Sequence, residues 1–232
     1  MLFIIIHQVY ELWFKELLHE FDRVARLLTG DEPHRAQHTL KRILTILKVL
    51  VAQLDILETM TPLEFLSFRA RLEAASGFQS DQFRQIEFLL GAKSETAIGE
   101  VSRGEPRARG ADAPLSVRRR CGTRFSTICR AKAMRVPATQ LSRDVTAATE
   151  ASSEIQQILI DVYRRDPKNA ELCERLVDLD EGSAGVAVSP RQNGGANHWD
   201  EARHRGSTGV PYLAGTLGRP LFPDLWEIRG HL

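Results

Sequence analysis

His7 stands four residues after Phe3, and Arg69 stands four residues after Phe65. On a helix that spacing places each pair on one face, so the chain offers an imidazole beside one ring and a guanidinium beside another. An imidazole accepts or donates a hydrogen bond, and the planar fork of a guanidinium suits a carboxylate. Both residues also have plainer readings, as a hydrogen-bonded core histidine and a solvated arginine. Ser76 and Gly77, in SGFQS, read by composition as a turn between helices. Cys121, Cys129 and Cys173 are odd in number and match no zinc spacing, so they read as buried or incidental thiols rather than a disulfide framework or a zinc site.

The elements that must position these side chains are helical. Phe3, His7, Tyr10, Phe14, Leu17, Phe21, Val24 and Leu28 recur at threes and fours, which predicts a long amphipathic helix ending near Gly30. Pro33 belongs in the first turn of a second helix that buries Leu40, Ile43, Leu47, Leu50, Leu54 and Leu57. Thr61 and Glu64 form a T-x-x-E capping box, so a third helix starts there and breaks at Ser76 and Gly77. A fourth carries Phe83, Ile86 and Leu90 to Gly91, and Asp166 with Pro167 opens another with Leu172, Leu176 and Leu179. No alternating strand pattern competes, so the expected fold class is all-α, a helical bundle formed as one domain over residues 1–232.

Composition sets the outer bounds. At 232 residues with 43% hydrophobic side chains, the chain is long enough for one sizeable core. A net charge of +1 predicts neither nucleic-acid nor membrane binding. The apolar opening Met1 to Ile6 is too short to cross a membrane and lacks a signal-peptide pattern, so the expected location is cytoplasmic.

Two stretches break the helical order. From Val101 to Arg143 there are ten Arg, one Lys and a single aromatic, Phe125, without an apolar stripe. Three readings stand there: a solvated linker, a basic arm, or text read in the wrong frame; missing interleaved aromatics weigh against nucleic acid. Shifted by one base, Leu115 to Arg118 permit Ser-Leu-Tyr-Asp. Ser183 to Arg205 is rich in Gly and Asn, contains Pro190, and has no periodicity. Residues near 101–133 and 183–205 are therefore expected to be disordered or non-native.

Three long blocks carry a family resemblance: FIIIHQVYELWFKELLHEFD (Phe3 to Asp22), PLEFLSFRARLEAASGFQSDQFRQIEFLLG (Pro62 to Gly91) and GSTGVPYLAGTLGRPLFPDLWEIR (Gly206 to Arg229). Together they resemble the tryptophan 2,3-dioxygenase family of haem enzymes, with weaker similarity at VPATQLSRDVT and LVDLDEG. The resemblance implies haem b, a homotetramer, and insertion of dioxygen into the indole of L-tryptophan to give N-formylkynurenine. It implies that Phe3 packs on the substrate indole, that His7 hydrogen-bonds the indole N–H, that Arg69 holds the carboxylate, and that Ser76 and Gly77 lie against the haem edge. Phe65 departs from the Tyr expected there, which removes a hydroxyl from the pocket. Met1 matches a point inside the family pattern, so a preceding segment that closes a neighbouring subunit's pocket is expected to be missing.

The resemblance also gives meaning to Ser183–Arg205. Reading its possible codons from the second base permits LQEWRYRHVKMVERTIGTKRGTG, a helix of the kind the family places between LVDLDEG and GSTG, followed by its Thr-bearing turn. Trp199 has one codon, so with Asp200 next it must become Gly in that frame, and the family has Gly there. The codon of Pro190 becomes that of the His that binds the haem iron, and His204 stands where the family has the Thr that contacts the substrate ammonium. As written, the family's axial-ligand position holds Pro190, which cannot ligate iron. Two expectations follow: a haem dioxygenase impaired in this chain, or a non-catalytic helical remnant or interaction module of the same family. His198 and His204 lack a helical period to aim them as substitute ligands.

Overall fold

A computed structural model describes residues 1–69, 80–90, 124–141, 151–188 and 220–232, and within them every regular element is helical. Helix α1 spans Leu2–Thr29 and α2 spans Pro33–Glu58. They form an antiparallel hairpin and the most extensive packing among the described residues. The predicted stripe deepens along α1: Phe3, His7 and Tyr10 are half-buried, whereas Phe14, Leu17, Phe21, Val24 and Leu28 are buried. On α2, Leu40, Ile43, Leu47 and Leu50 are buried but Leu54 and Leu57 are only half-buried. These last turns of α2 lie beside the first turns of α1, where burial thins. Between the two helices it is Asp31, not Gly30, that takes the left-handed conformation, with φ 59.

Helix α3 is Pro62–Arg69, and its predicted capping box is formed. The amide of Thr61 donates to Glu64 at 2.7 Å and the amide of Glu64 donates back to the Thr61 hydroxyl at 3.3 Å. Helix α4, Asp81–Leu90, lies on α1 through Phe83 against Phe14, with Ser80 accepting the Phe83 amide at its start.

The basic stretch corrects the expectation made for it. Arg124–Lys132 is a helix, α5, which packs on α1 with Phe125, Cys129, Ala133 and Met134 buried. Phe125 meets Phe21 edge-on at 4.9 Å between ring centroids. The flanking arginines hid a short apolar stripe, Phe125 to Met134, that is ordered by packing on α1. The rest of that expectation, residues 101–123, lies outside the described residues, as do Leu115–Arg118.

After the short helix α6, Ala138–Leu141, come α7, Ser153–Arg165, and α8, Pro167–Val188. Asp166 caps α8 by accepting the amide of Asn169, as its place before Pro167 predicts. Helix α8 crosses α2 at Gly182, where a Cβ would come 3.3 Å from a Leu47 methyl, so only glycine allows this approach without a shift. A second correction follows from the same helix. Ser183–Val188, expected to be non-helical, continues α8, because propagation adds one bond per residue once the helix is nucleated. Residues 189–205 lie outside the described part.

The C-terminal end is α9, Pro223–Glu227, and a 3-10 turn, Ile228–Gly230. It is tied to α8 by the buried carboxylate of Asp180, which accepts from the amides of Leu221 and Phe222 and from the Trp226 indole N–H at 2.8 Å. A second buried carboxylate, Asp224, accepts the Ser152 amide at 2.6 Å and lies 3.6 Å from Arg130. Burial raises the Asp224 pKa, opposed by the Ser152 amide and Arg130. Phe222, Leu225 and Ile228, fully buried, join this end to a core shared by α1, α2, α5, α7 and α8.

Candidate functional site

The first turns of α1 and Pro62–Arg69 of α3 bring four of the sequence-predicted residues together, Phe3, His7, Phe65 and Arg69. Phe3 and His7 lie one above the other on α1, their rings 4.1 Å apart. Phe65 of α3 meets Phe3 at 5.9 Å, and the Arg69 guanidinium sits 5.6 Å from the centroid of the Phe65 ring. That last contact is a cation–π geometry, so the charge is held against an aromatic wall. Phe68, directly before Arg69 in the chain but not among the predicted site residues, has its ring 5.4 Å from both Phe3 and Phe65. Its signal was the three-residue step from Phe65, which places both rings on one face of α3.

The hydrogen bond within the first turns fixes what His7 can do. Nδ1 lies 2.7 Å from the Phe3 carbonyl oxygen, which only accepts, so Nδ1 carries the proton of that bond. In the neutral ring Nε2 is then an acceptor, suited to a ligand N–H. One turn further, the Tyr10 hydroxyl donates to the Leu50 carbonyl of α2, and burial pushes its pKa up to about 12. Tyr10 thereby pins the site-bearing end of α1 to α2 and takes no acid or base role near neutral pH.

Haem is the cofactor that the family resemblance implies, and the described residues offer groups for one side of it alone. The cluster of rings, imidazole and guanidinium suits the substrate side of a haem pocket. An iron ligand is another matter. Pro190 offers no donor and lies outside the described residues, with Ser76, Gly77, His198 and His204. Among the described residues, His19, His34, His38 and His231 are exposed on other faces. Cys129 and Cys173 are buried in the core, and desolvation raises both thiols, Cys173 to about 12, which disfavours a ligating thiolate. Cys121 lies outside the described part.

No helix of the described residues is long and apolar enough to cross a membrane. Several large apolar side chains are nonetheless exposed beside the cluster: Leu2, Ile4, Ile5 and Leu12 on α1, and Leu63 and Leu66 on α3.

Comparison with known proteins identifies the family. The sequence profile of a family described as Tryptophan 2,3-dioxygenase matches residues 1–103, the part that contains Phe3, His7, Phe65 and Arg69. A protein of Herpetosiphon aurantiacus named tryptophan 2,3-dioxygenase is 44% identical over 248 aligned positions, covering 100% of this chain and 88% of the relative. Proteins of the same name from Anaeromyxobacter sp. (strain K) and Caulobacter vibrioides are 42% and 38% identical, again over 100% of this chain, with 87% and 89% of each relative covered. At such identity over its whole length, the chain belongs to the tryptophan 2,3-dioxygenase family.

Proposed function

We propose that this chain is a haem-dependent dioxygenase of the L-tryptophan to N-formylkynurenine type, which keeps its substrate wall and is impaired at the iron. The carrying observation is the cluster of Phe3, His7, Phe65 and Arg69. The Arg69 fork takes the substrate carboxylate, its charge backed by the Phe65 ring. The indole lies against Phe3, and Nε2 of His7 accepts its N–H, since Nδ1 is already committed to the Phe3 carbonyl. These contacts bind and orient tryptophan. Haem b and dioxygen belong to the family's reaction, and Ser76 and Gly77 are assigned to the haem edge on the resemblance.

A non-catalytic reading, in which the chain is a helical remnant or interaction module, is favoured by one residue. Pro190 stands at the axial-ligand position, and haem dioxygenation needs an axial ligand. Both readings share the substrate wall and differ in turnover. The exposed aliphatic side chains of α1 and α3 support the family's homotetramer.

Calorimetric titration with L-tryptophan tests the wall. Replacing Arg69 by Ala removes a charge-assisted pair and weakens L-tryptophan by about ten- to a hundredfold, while 3-methylindole, which has no carboxylate, keeps its affinity. Equal affinity of L-tryptophan for the parent and Arg69→Ala chains defeats the assignment.

A further inference from the structure

We infer that Phe68 is a positioning residue, which sets the place of Arg69 relative to His7 by docking α3 on Phe3. The inference extends the reading of this cluster as a tryptophan wall and names a residue to which neither the family comparison nor the sequence assigns a role.

Among the described residues, Pro62–Arg69 of α3 carries no buried side chain. The Thr61 and Glu64 capping box satisfies its first turn but says nothing about where the helix sits. Leu63 and Leu66 are 79% and 51% exposed, so its aliphatic side chains do not dock it. What faces α1 is aromatic. Phe65 and Phe68 both meet the Phe3 ring, at 5.9 and 5.4 Å, and meet each other edge-on at 5.4 Å and 81°. Three mutually contacting rings resist sliding better than a pair, because moving any one breaks two contacts.

This triangle joins the two polar groups of the site. At one corner, Phe3 holds His7 through its carbonyl and through ring contact. At the opposite edge, Arg69 follows Phe68 directly in the chain and reaches back over Phe65. The separation between the group that takes a carboxylate and the group that takes an indole N–H therefore depends on how Phe68 seats. Phe68 lies nearer to Phe3 than Phe65 does, and it is the last ring before Arg69.

The test uses the full chain with Phe68→Ala, Phe68→Tyr and the parent, read by amide hydrogen exchange and by titration with L-tryptophan and 3-methylindole. In Phe68→Ala, amides of Phe65 to Arg69 exchange at least ~tenfold faster while those of α1 from Phe14 onward and of α2 keep the parent's protection. The preference for L-tryptophan over 3-methylindole falls by about tenfold, as expected when a charge-assisted hydrogen bond is misplaced. Phe68→Tyr, which keeps the ring, restores both. Unchanged exchange of α3 in Phe68→Ala overturns the inference, and so does equal weakening of both ligands, which marks a packing role alone. If the parent itself shows no preference for L-tryptophan, the tryptophan reading fails and takes the carboxylate part of the inference with it. The exchange arm then still decides whether Phe68 docks α3.

Discussion

Truncating Phe125 to Ala measures whether the arginine-rich stretch contributes a native element. Phe125 is 1% exposed on α5 and meets Phe21 of α1, itself fully buried, in an edge-on pair at 4.9 Å. Removing a buried Phe side chain costs about 3–5 kcal/mol through lost transfer energy and the cavity left behind. The aromatic pair adds about 0.5–1.5 kcal/mol of coupling, which a double-mutant cycle with Phe21→Ala isolates. The assay is equilibrium urea unfolding followed by far-UV circular dichroism, with Ile4→Ala as the control. Ile4 is 52% exposed, so the control shifts stability by within about 0.5 kcal/mol. The expected outcome is a fall in the Phe125→Ala midpoint at unchanged slope. A loss below about 1 kcal/mol, or coupling with Phe21 indistinguishable from zero, refutes the packing of α5 on α1.

Two further outcomes follow from the carboxylates. Asp180→Ala strands the amides of Leu221 and Phe222 and the Trp226 indole N–H, at a cost of about 2–4 kcal/mol, and a red shift of tryptophan emission on release of the C-terminal end reports it. Unaltered emission and stability contradict the clamp. Asp166 titrates below the ordinary aspartate value of 3.8, chiefly because the Asn169 side chain hydrogen-bonds it, with Arg135 adding to the effect. A depressed folded-state pKa contributes stability that is present above the unfolded value and lost as pH falls through the folded one. Unfolding midpoints in the parent therefore decline across that acid window more steeply than in Asp166→Asn, and parallel pH profiles of the two chains contradict the assignment.

Much of the bundle was legible because apolar spacing and caps are local. The α1 stripe, the Thr61 and Glu64 box and the Asp166 cap each sit within a few residues of the element they define, and each formed as read. Helix α5 escaped because the apolar side chains of it and the turn after it, Phe125, Cys129, Ala133 and Met134, are few and sit among charges that dominate a long window. Asp180 gave no signal at all, since its donors lie 41 to 46 residues away in the chain. The turn after α1 followed Asp31 rather than Gly30, a choice that local composition leaves open because Asp also tolerates that conformation. In the site, the two i, i+4 pairs were readable, but Phe68 acquires its place only when α3 meets α1, a contact between segments some sixty residues apart.

The central claim, a substrate wall retained and an iron ligand lost at Pro190, is tested most directly by haem titration followed at the Soret band. Two chains are compared: the chain as it stands, and one in which Ser183–Arg205 is replaced by LQEWRYRHVKMVERTIGTKRGTG, which returns an axial His within a helical segment. The account predicts weak uptake without a histidine-ligated spectrum in the first, and affinity higher by orders of magnitude with that spectrum in the second. A tight, stoichiometric, histidine-ligated complex of the unaltered chain contradicts it, and so does a repaired chain that takes up no haem.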